Sequence, residues 1–290
     1  MADLRELVAA ELSQPVDPRV SEMAAAIAAK YGNAARAVLF YGSCLREKQL
    51  DGLMLDFYLI VSSYRDAYGR GWLAAANRIV PPNVFPFQNG KLAAKYAVLS
   101  DEDFAHECSP EAWTVSTAAR FAQPARLVWS ANHDAEQRVI DSVSNATPTL
   151  LGWTLSVVPD GAAPLDLWRR AFQLTFGAEL RAERTDRSAK IVDADPQRYE
   201  RFAASAGTLV NHAPGKGERW WRAKQRHGKL YSVARLAKAS ATFAGGADYI
   251  AWKINRHAGT NIVLKPWQRR WPLLAAISLL PRLLRTGAIR

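Results

Sequence analysis

The feature that most constrains this chain is a single acidic residue inside a short apolar run. Residues 53–61 are apolar except for Asp56. A second apolar run, residues 37–41, ends at Gly42-Ser43, and this glycine favours a strand over a helix. A lone carboxylate in a buried strand is costly unless it is paired or binds a metal. The pattern predicts a strand, a Gly-Ser turn, a polar loop and a second strand that carries a functional carboxylate.

Nucleotidyl transfer uses a carboxylate of this kind to hold Mg²⁺ against a nucleoside triphosphate. A Gly-Ser turn allows close approach of the backbone and offers N–H donors to phosphate oxygens. Gly42 and Ser43 are therefore candidate phosphate-binding residues. Asp56 is the candidate metal ligand, and Asp51, in the loop before the strand, is a second. Two alternatives stay open, because Gly-Ser turns are common between strands and a strand acid also occurs at solvent-facing edges.

Composition narrows the class of protein and of partner. The 290 residues are 49% hydrophobic and 22% charged, which is typical of a folded globular chain. The net charge of +11 favours anionic partners, either nucleic acid, anionic lipid or a polyphosphate. The two cysteines, Cys44 and Cys108, are far apart and fit no metal-binding spacing, so neither a disulfide nor a zinc site is predicted.

The pattern of apolar residues changes along the chain. Strands and helices alternate up to about residue 132, helices dominate over 133–262, and residues 263–290 are basic and apolar. We therefore predict an α/β domain over 1–132, a helical domain over 133–262 and an amphipathic C-terminal tail over 263–290. Further predicted elements are a helix from residue 18 to about 30, helices over 66–79, 111–122, 165–183 and 218–243, a strand over 92–99, and an irregular segment over 80–86 that contains three prolines.

Gly-Ser followed by a strand acid resembles the DNA polymerase β-type nucleotidyltransferase superfamily. The usual member has two acids separated by one residue on that strand. Here Asp56 matches the second acid, and Met54 stands in place of the first. Mitochondrial-type phosphatidate cytidylyltransferases show a Tyr-Gly-Ser turn followed by a Met-x-Asp-Phe-like strand. This chain is similar to them at Tyr41-Gly42-Ser43 and at Met54-Leu55-Asp56-Phe57.

Three further segments resemble the same family in the same order along residues 20–260. They are Lys95-Tyr96-Ala97-Val98, the corner from Arg120 to Pro124, and the spaced residues Tyr249, Lys253 and Ile254. The chain departs from the family pattern at Cys44 and at Ala97, where the family usually has glycine.

The resemblance implies an α/β nucleotidyltransferase domain with a mixed sheet flanked by helices, followed by a mostly helical domain and a membrane-surface segment. It implies a Mg²⁺-dependent reaction of CTP with phosphatidate that gives CDP-diacylglycerol and pyrophosphate. Asp56, Lys95 and Arg120 would be catalytic, and Tyr41, Gly42, Ser43 and Lys95 would bind the nucleotide. The expected partners are CTP and phosphatidate in an anionic membrane, with no obligate protein partner and no nucleic acid. Structural roles stay open for Lys95 at a strand edge and for Arg120 at a helix end.

Two segments combine tryptophan with cations, which favours contact with a membrane surface. The candidate residues are Trp220, Trp221, Trp267, Arg269, Arg270 and Trp271. The apolar stretch over 271–281 is shorter than the roughly 20 residues that a spanning helix needs. The N-terminus shows neither a signal-peptide core nor a transit-peptide composition. We therefore expect a cytoplasmic protein, peripheral on the inner face of the cell membrane.

Three alternatives remain at this point. The basic charge and the Trp/Arg clusters also suit a nucleotidyltransferase that acts on RNA or on a small metabolite. Met54 in place of the first acid also suits a non-catalytic membrane-binding member of the fold. The C-terminal tail also suits a final helix of the core.

Overall fold

The computed structural model describes residues 3–47, 50–69, 71–179, 187–210, 217–242 and 263–270. Its strands are β1 (Ala35–Tyr41), β2 (Met54–Val61), β3 (Asn83–Asn89), β4 (Leu92–Ser100) and β5 (Ala125–Ser130). The helices of the first half are α1 (Leu4–Leu12), α2 (Pro18–Ala29), α3 (Ser43–Glu47), α4 (Tyr64–Ala67), α5 (Gly71–Ile79), α6 (Asp101–Glu107) and α7 (Ser116–Phe121). Those of the second half are α8 (His133–Thr154), α9 (Pro164–Phe176), α10 (Arg187–Asp193), α11 (Pro196–Ser205), α12 (Gly217–Thr242) and α13 (Pro266–Arg270).

The five strands form one mixed sheet in the order β3-β4-β2-β1-β5. β2 and β4 run parallel, and the other neighbouring pairs are antiparallel. A parallel pair needs a crossover connection, and here the segment with α4, α5 and β3 supplies it. The expectation of a mixed sheet flanked by helices is confirmed.

Alternation along β2 sends neighbouring side chains to opposite faces of the sheet. Phe57 and Leu59 belong to a core covered by α2, whose Met23 and Ile27 are fully buried. Tyr58 and Ile60 belong to the other core, which α1, α6, α7 and α8 cover. Asp56 shares its face with Tyr58, so the sheet directs this carboxylate toward the face that carries most of the helices.

Two predicted segments differ from the structure. The proline-rich stretch over 80–86 becomes strand from Asn83 onward, because β3 is an edge strand and Pro86 needs no hydrogen bond on its outer side. The helix predicted over 111–122 is shortened to α7. The buried carboxylate of Glu107 accepts hydrogen bonds from the Trp113 backbone N–H and the Thr114 hydroxyl, which holds the preceding segment as a turn.

The helix predicted over 66–79 is divided into α4 and α5. Gly69 and Gly71 lie at the division. Glycine weakens a helix interior, because it loses more backbone entropy on folding than other residues do.

The core on the helix-rich face is continuous along the chain. It contains Leu4 of α1, Tyr58 of β2, Trp153 of α8 and Trp221 of α12. Residues from both sides of the predicted boundary at 132/133 therefore share one core, and the division into units stays a prediction. Tyr249, Lys253 and Ile254 lie outside the described residues, as does most of the predicted tail. Among the helices that the structure describes, none has the length and apolarity that crossing a membrane requires.

Candidate functional site

Asp56 and Lys95 lie opposite each other on the parallel strands β2 and β4. The Lys95 Nζ is 2.8 Å from the Asp56 Oδ1, and the two side chains are 27% and 19% exposed. β4 lies between β3 and β2, so Lys95 is not on an edge strand. The sheet therefore holds a carboxylate and an ammonium together on its helix-rich face, partly open to solvent.

The Gly42 turn closes against the Asp56 carboxylate. Gly42 has φ of +97°, and a Cβ atom at this position would lie 2.9 Å from the Asp56 Oδ2. Tyr41, the residue before it, pairs with Asp56 across the antiparallel β1–β2 ladder. Glycine is required here both by the backbone conformation and by this close approach. The turn and the strand acid that the sequence singled out are thus in contact, and Ser43 begins α3 directly after the turn.

Two tyrosines and a phenylalanine lie beside the carboxylate. The ring centroids of Tyr41 and Tyr58 are 5.3 Å apart, and Phe121 of α7 packs against both rings. Burial raises the pKa of the Tyr41 hydroxyl well above its usual range, and the negative charge of Asp56 raises it further. Tyr41 therefore keeps its proton at neutral pH and can donate a hydrogen bond to an anion.

A second ion pair joins this cluster from the helical side. Arg120, in the last turn of α7, places its Nη2 2.8 Å from the Oε1 of Glu179. Burial acts to lower the pKa of Arg120, but the negative charge of Glu179, and more weakly that of Asp56, raises it, and the net pKa is above its usual range. Arg120 is therefore a permanent cation in electrostatic contact with Asp56.

Glu179 is the residue that sequence reasoning missed. It lies just after the end of α9, inside the helix predicted over 165–183, where an acid carries no special pattern. α12 fixes this turn, because a Cβ atom on Gly228 would lie 2.4 Å from the Ala178 carbonyl oxygen. The detectable signal is Gly228 itself, since a glycine inside a long helix often marks a close backbone approach.

The structure pairs Asp51, the second candidate metal ligand, with Arg19 rather than with the Asp56–Lys95 pair. The Asp51 Oδ1 is 3.1 Å from the Arg19 Nη1, and the Asp51 side chain is 75% exposed. Within the described part of the chain, no three His, Cys, Asp or Glu side chains are grouped as a metal site. The donor set therefore fits Mg²⁺ only as an ion held mainly by phosphate oxygens and water, with Asp56 as its protein ligand.

The tryptophans predicted to meet a membrane are placed differently from one another. Trp221 is 2% exposed and its indole N–H donates to the Trp153 carbonyl at 2.9 Å, so the prediction of a surface role is corrected. Trp220 is half-buried against Trp153. Trp267 is exposed in α13. Arg269 and Arg270 end that helix, and Trp271 lies outside the described residues.

Neither a scan against protein-family models nor a search of curated proteins found a match for this chain. The similarity to phosphatidate cytidylyltransferases therefore depends on the short motifs. Three of them, at Tyr41-Gly42-Ser43, Asp56 and Lys95, converge on one side of the sheet.

Proposed function

We propose that this chain transfers the cytidylyl group of CTP to phosphatidate, forming CDP-diacylglycerol and pyrophosphate. The observation that carries the proposal is the Asp56–Lys95 ion pair seated against Gly42. The Asp56 carboxylate contacts both the Lys95 ammonium and the Gly42 turn on one face of the sheet. A triphosphate needs the ammonium and the glycine turn, and the metal ion bound to the triphosphate needs the carboxylate.

Lys95 and Arg120 supply the positive charge that a triphosphate requires. Lys95 pairs with Asp56 and Arg120 pairs with Glu179, with an N–O distance of 2.8 Å in both pairs. The Lys95 ammonium is compact and exchanges an acid for a phosphate oxygen by a small rotation of its side chain. Arg120 offers a planar fork that suits phosphate bidentately. The absence of a side chain at Gly42 lets the backbone of the turn lie directly against the Asp56 carboxylate.

Mg²⁺, when bound with the nucleotide, supplies charge neutralisation on the oxygens of the reacting phosphate and of the leaving pyrophosphate. Asp56 is the residue that would hold it. Tyr41, protonated at neutral pH, is placed to donate a hydrogen bond near the same carboxylate.

The chemistry asks for positioning rather than for a protein nucleophile. A phosphate oxygen of phosphatidate attacks the α-phosphorus of CTP, a new P–O bond forms, and the bond to the β-phosphate breaks to release pyrophosphate. The attacking oxygen is already anionic at neutral pH, so no general base is needed. Lys95 and Arg120 reduce the repulsion between the two anionic reactants, which is the main barrier to bringing them together.

The test is a nucleotide screen with the full chain, Mg²⁺ and vesicles that contain phosphatidate, scored by release of pyrophosphate. We expect release with CTP and formation of CDP-diacylglycerol. Asp56→Asn should lower the rate at least about 1,000-fold, since it removes the charge that faces the metal. Asp166→Asn, which removes the same charge from an exposed position on α9, should retain the wild-type rate.

Two outcomes would contradict the proposal. Full activity of Asp56→Asn would remove this carboxylate from the mechanism. Failure of the wild-type chain to bind CTP with Mg²⁺ at millimolar concentration, measured by calorimetry, would favour a non-catalytic member of the fold. If the nucleotidyl group were transferred to RNA or to a small metabolite and not to phosphatidate, the chain would still be a nucleotidyltransferase, but phosphatidate would not be its acceptor.

A further inference from the structure

α12 presents two unlike sides, and one of them packs tightly on the rest of the protein. On that side Trp221 is buried and Lys224 donates to the Ala112 carbonyl at 2.7 Å. Arg235 reaches the Pro81 carbonyl at 2.6 Å on the sheet side. These contacts, with the close approach at Gly228, hold the helix in one orientation and decide which residues face outward.

The outward side is basic. Arg219, Arg222, Arg226 and Lys229 are exposed, and their spacing of three and four residues places them along one side of the helix over about 15 Å. We call these four residues the α12 basic face. Within the described ranges, none of the four is joined to an acid by a salt bridge. The exposed acid Glu218 lies four residues before Arg222 on the same side of the helix, so it offsets one of the four positive charges.

The three arginines and Ala223 line a shallow depression of about 270 Å³. This is below the range of roughly 300–1,000 Å³ that small-molecule sites occupy. Such a depression suits a phosphate group that approaches the helix from the solvent side better than it suits an enclosed metabolite. Leu230, 68% exposed, follows directly after Lys229.

We propose that the α12 basic face docks the protein on the phosphate headgroups of an anionic bilayer. A straight row of cations on a helix that is fixed from behind matches a planar anionic surface. Guanidinium groups pair well with lipid phosphate, and Leu230 adds an apolar contact at the interface. Single-stranded nucleic acid would instead call for aromatic rings to stack on, and the tryptophans of this helix, Trp220 and Trp221, pack against Trp153.

This surface differs from the one that the sequence pattern favours. Two arginines flank two tryptophans in the sequence at 219–222, but the helix separates them, so docking depends on charge and not on the insertion of buried Trp221. The inference does not require the proposed reaction, because any anionic phospholipid satisfies it.

The experiment is co-sedimentation of the full chain with vesicles of phosphatidylcholine, with and without phosphatidylglycerol, at low and high salt. Phosphatidylglycerol is used because it is not the proposed substrate, so the result is independent of the catalytic site. The test variant is Arg219→Gln/Arg222→Gln/Arg226→Gln. Its matched control, Arg65→Gln/Lys91→Gln/Arg201→Gln, removes three exposed cations from other elements.

We expect wild type to bind the anionic vesicles, to release at high salt, and to ignore the neutral vesicles. The test variant should lose about 100-fold in partition coefficient, and the control variant less than about fivefold. Equal losses in the two variants would overturn the proposal in favour of overall charge. Unchanged binding of the test variant would assign docking to another segment. RNA binding that depends on the same arginines, without sedimentation on vesicles, would make the partner a nucleic acid.

Discussion

Two ion pairs on the helix-rich side of the sheet have similar distances and opposite surroundings. Glu11 of α1 and Arg198 of α11 meet with an Oε1–Nη2 distance of 2.8 Å. Arg198 also donates to the Ala122 carbonyl, and its guanidinium carbon lies 4.1 Å from the centroid of the Phe202 ring. All three of its nitrogens are used and its side chain is 3% exposed, whereas the side chains of Lys95 and Asp56, which are 2.8 Å apart, are 27% and 19% exposed.

The difference indicates which cation can replace its carboxylate partner with another group and which cannot. A buried guanidinium whose three nitrogens are all hydrogen-bonded cannot release its acid without leaving a charge uncompensated in the core. Lys95 and Asp56 are both partly exposed, so solvent or a phosphate oxygen can replace either partner at small cost. Burial of the cation, not the length of the ion pair, distinguishes the Arg198 pair from the Lys95 pair.

Among the substitutions that test this comparison, we expect the largest effect from Arg198→Met. Replacement by Met keeps the volume and leaves the partly buried Glu11 carboxylate without its cation, which should lower the free energy of unfolding by about 3–5 kcal/mol. Urea denaturation measures the loss. Arg201→Met, on the exposed side of the same helix, is the control and should change stability by less than about 0.5 kcal/mol. A loss below about 1 kcal/mol at Arg198 would show that the saturated pair is dispensable.

Gly42→Ala tests the partly exposed Asp56–Lys95 pair. A side chain at this backbone conformation costs about 1–3 kcal/mol, and the added Cβ would also press on the Asp56 Oδ2. Gly52→Ala is a close control, because Gly52 has φ of +75° and no atom within 4 Å of the added Cβ. Both variants should lose stability in urea, but only Gly42→Ala should lose pyrophosphate release, by at least about tenfold. Equal rates in the two variants would mean that the turn does not position the carboxylate.

The smallest expected effect is a pH dependence of stability caused by Lys238, a partly buried cation that donates to a backbone carbonyl. Its ammonium donates to the Val80 carbonyl, and burial, followed by the positive charge of Arg235, lowers its pKa to about 7. Because the unfolded chain holds this proton up to about pH 10, stability should rise with pH above 7, by about 1 kcal/mol between pH 7 and 8. Denaturation of wild type and Lys238→Met over this range isolates the effect, which only wild type should show. Parallel curves would mean that Lys238 stays charged in the folded state.

Local patterns predicted the centre of the candidate site. Gly42, Asp56 and Lys95 follow from strand periodicity and from short motifs. Within a strand, the local sequence is enough to predict which side chains share a face and where a glycine ends the strand. Glu179 was not predictable, because its role depends on the distant contact between Gly228 and Ala178. The same holds for Glu11 and Arg198, whose pairing joins residues 187 positions apart.

Orientation around a helix was the other gap. The stretch after residue 219 is both aromatic and basic, and composition alone does not say which side faces the core. The packing of Trp221 on Trp153 decides it. The edge position of β3, which makes Pro86 compatible with a strand, likewise depends on the order of strands and not on the local sequence.

The contact between Trp153 and Trp221 has a consequence for how the chain is made. Sixty-eight residues separate the two indoles, and both are almost fully buried. A nascent chain therefore emerges from the ribosome with the sheet and α8 complete while the pocket around Trp153 still faces water. Closure waits for a helix synthesised much later, so a chain that ended before residue 217 would lack the two tryptophans that contact Trp153.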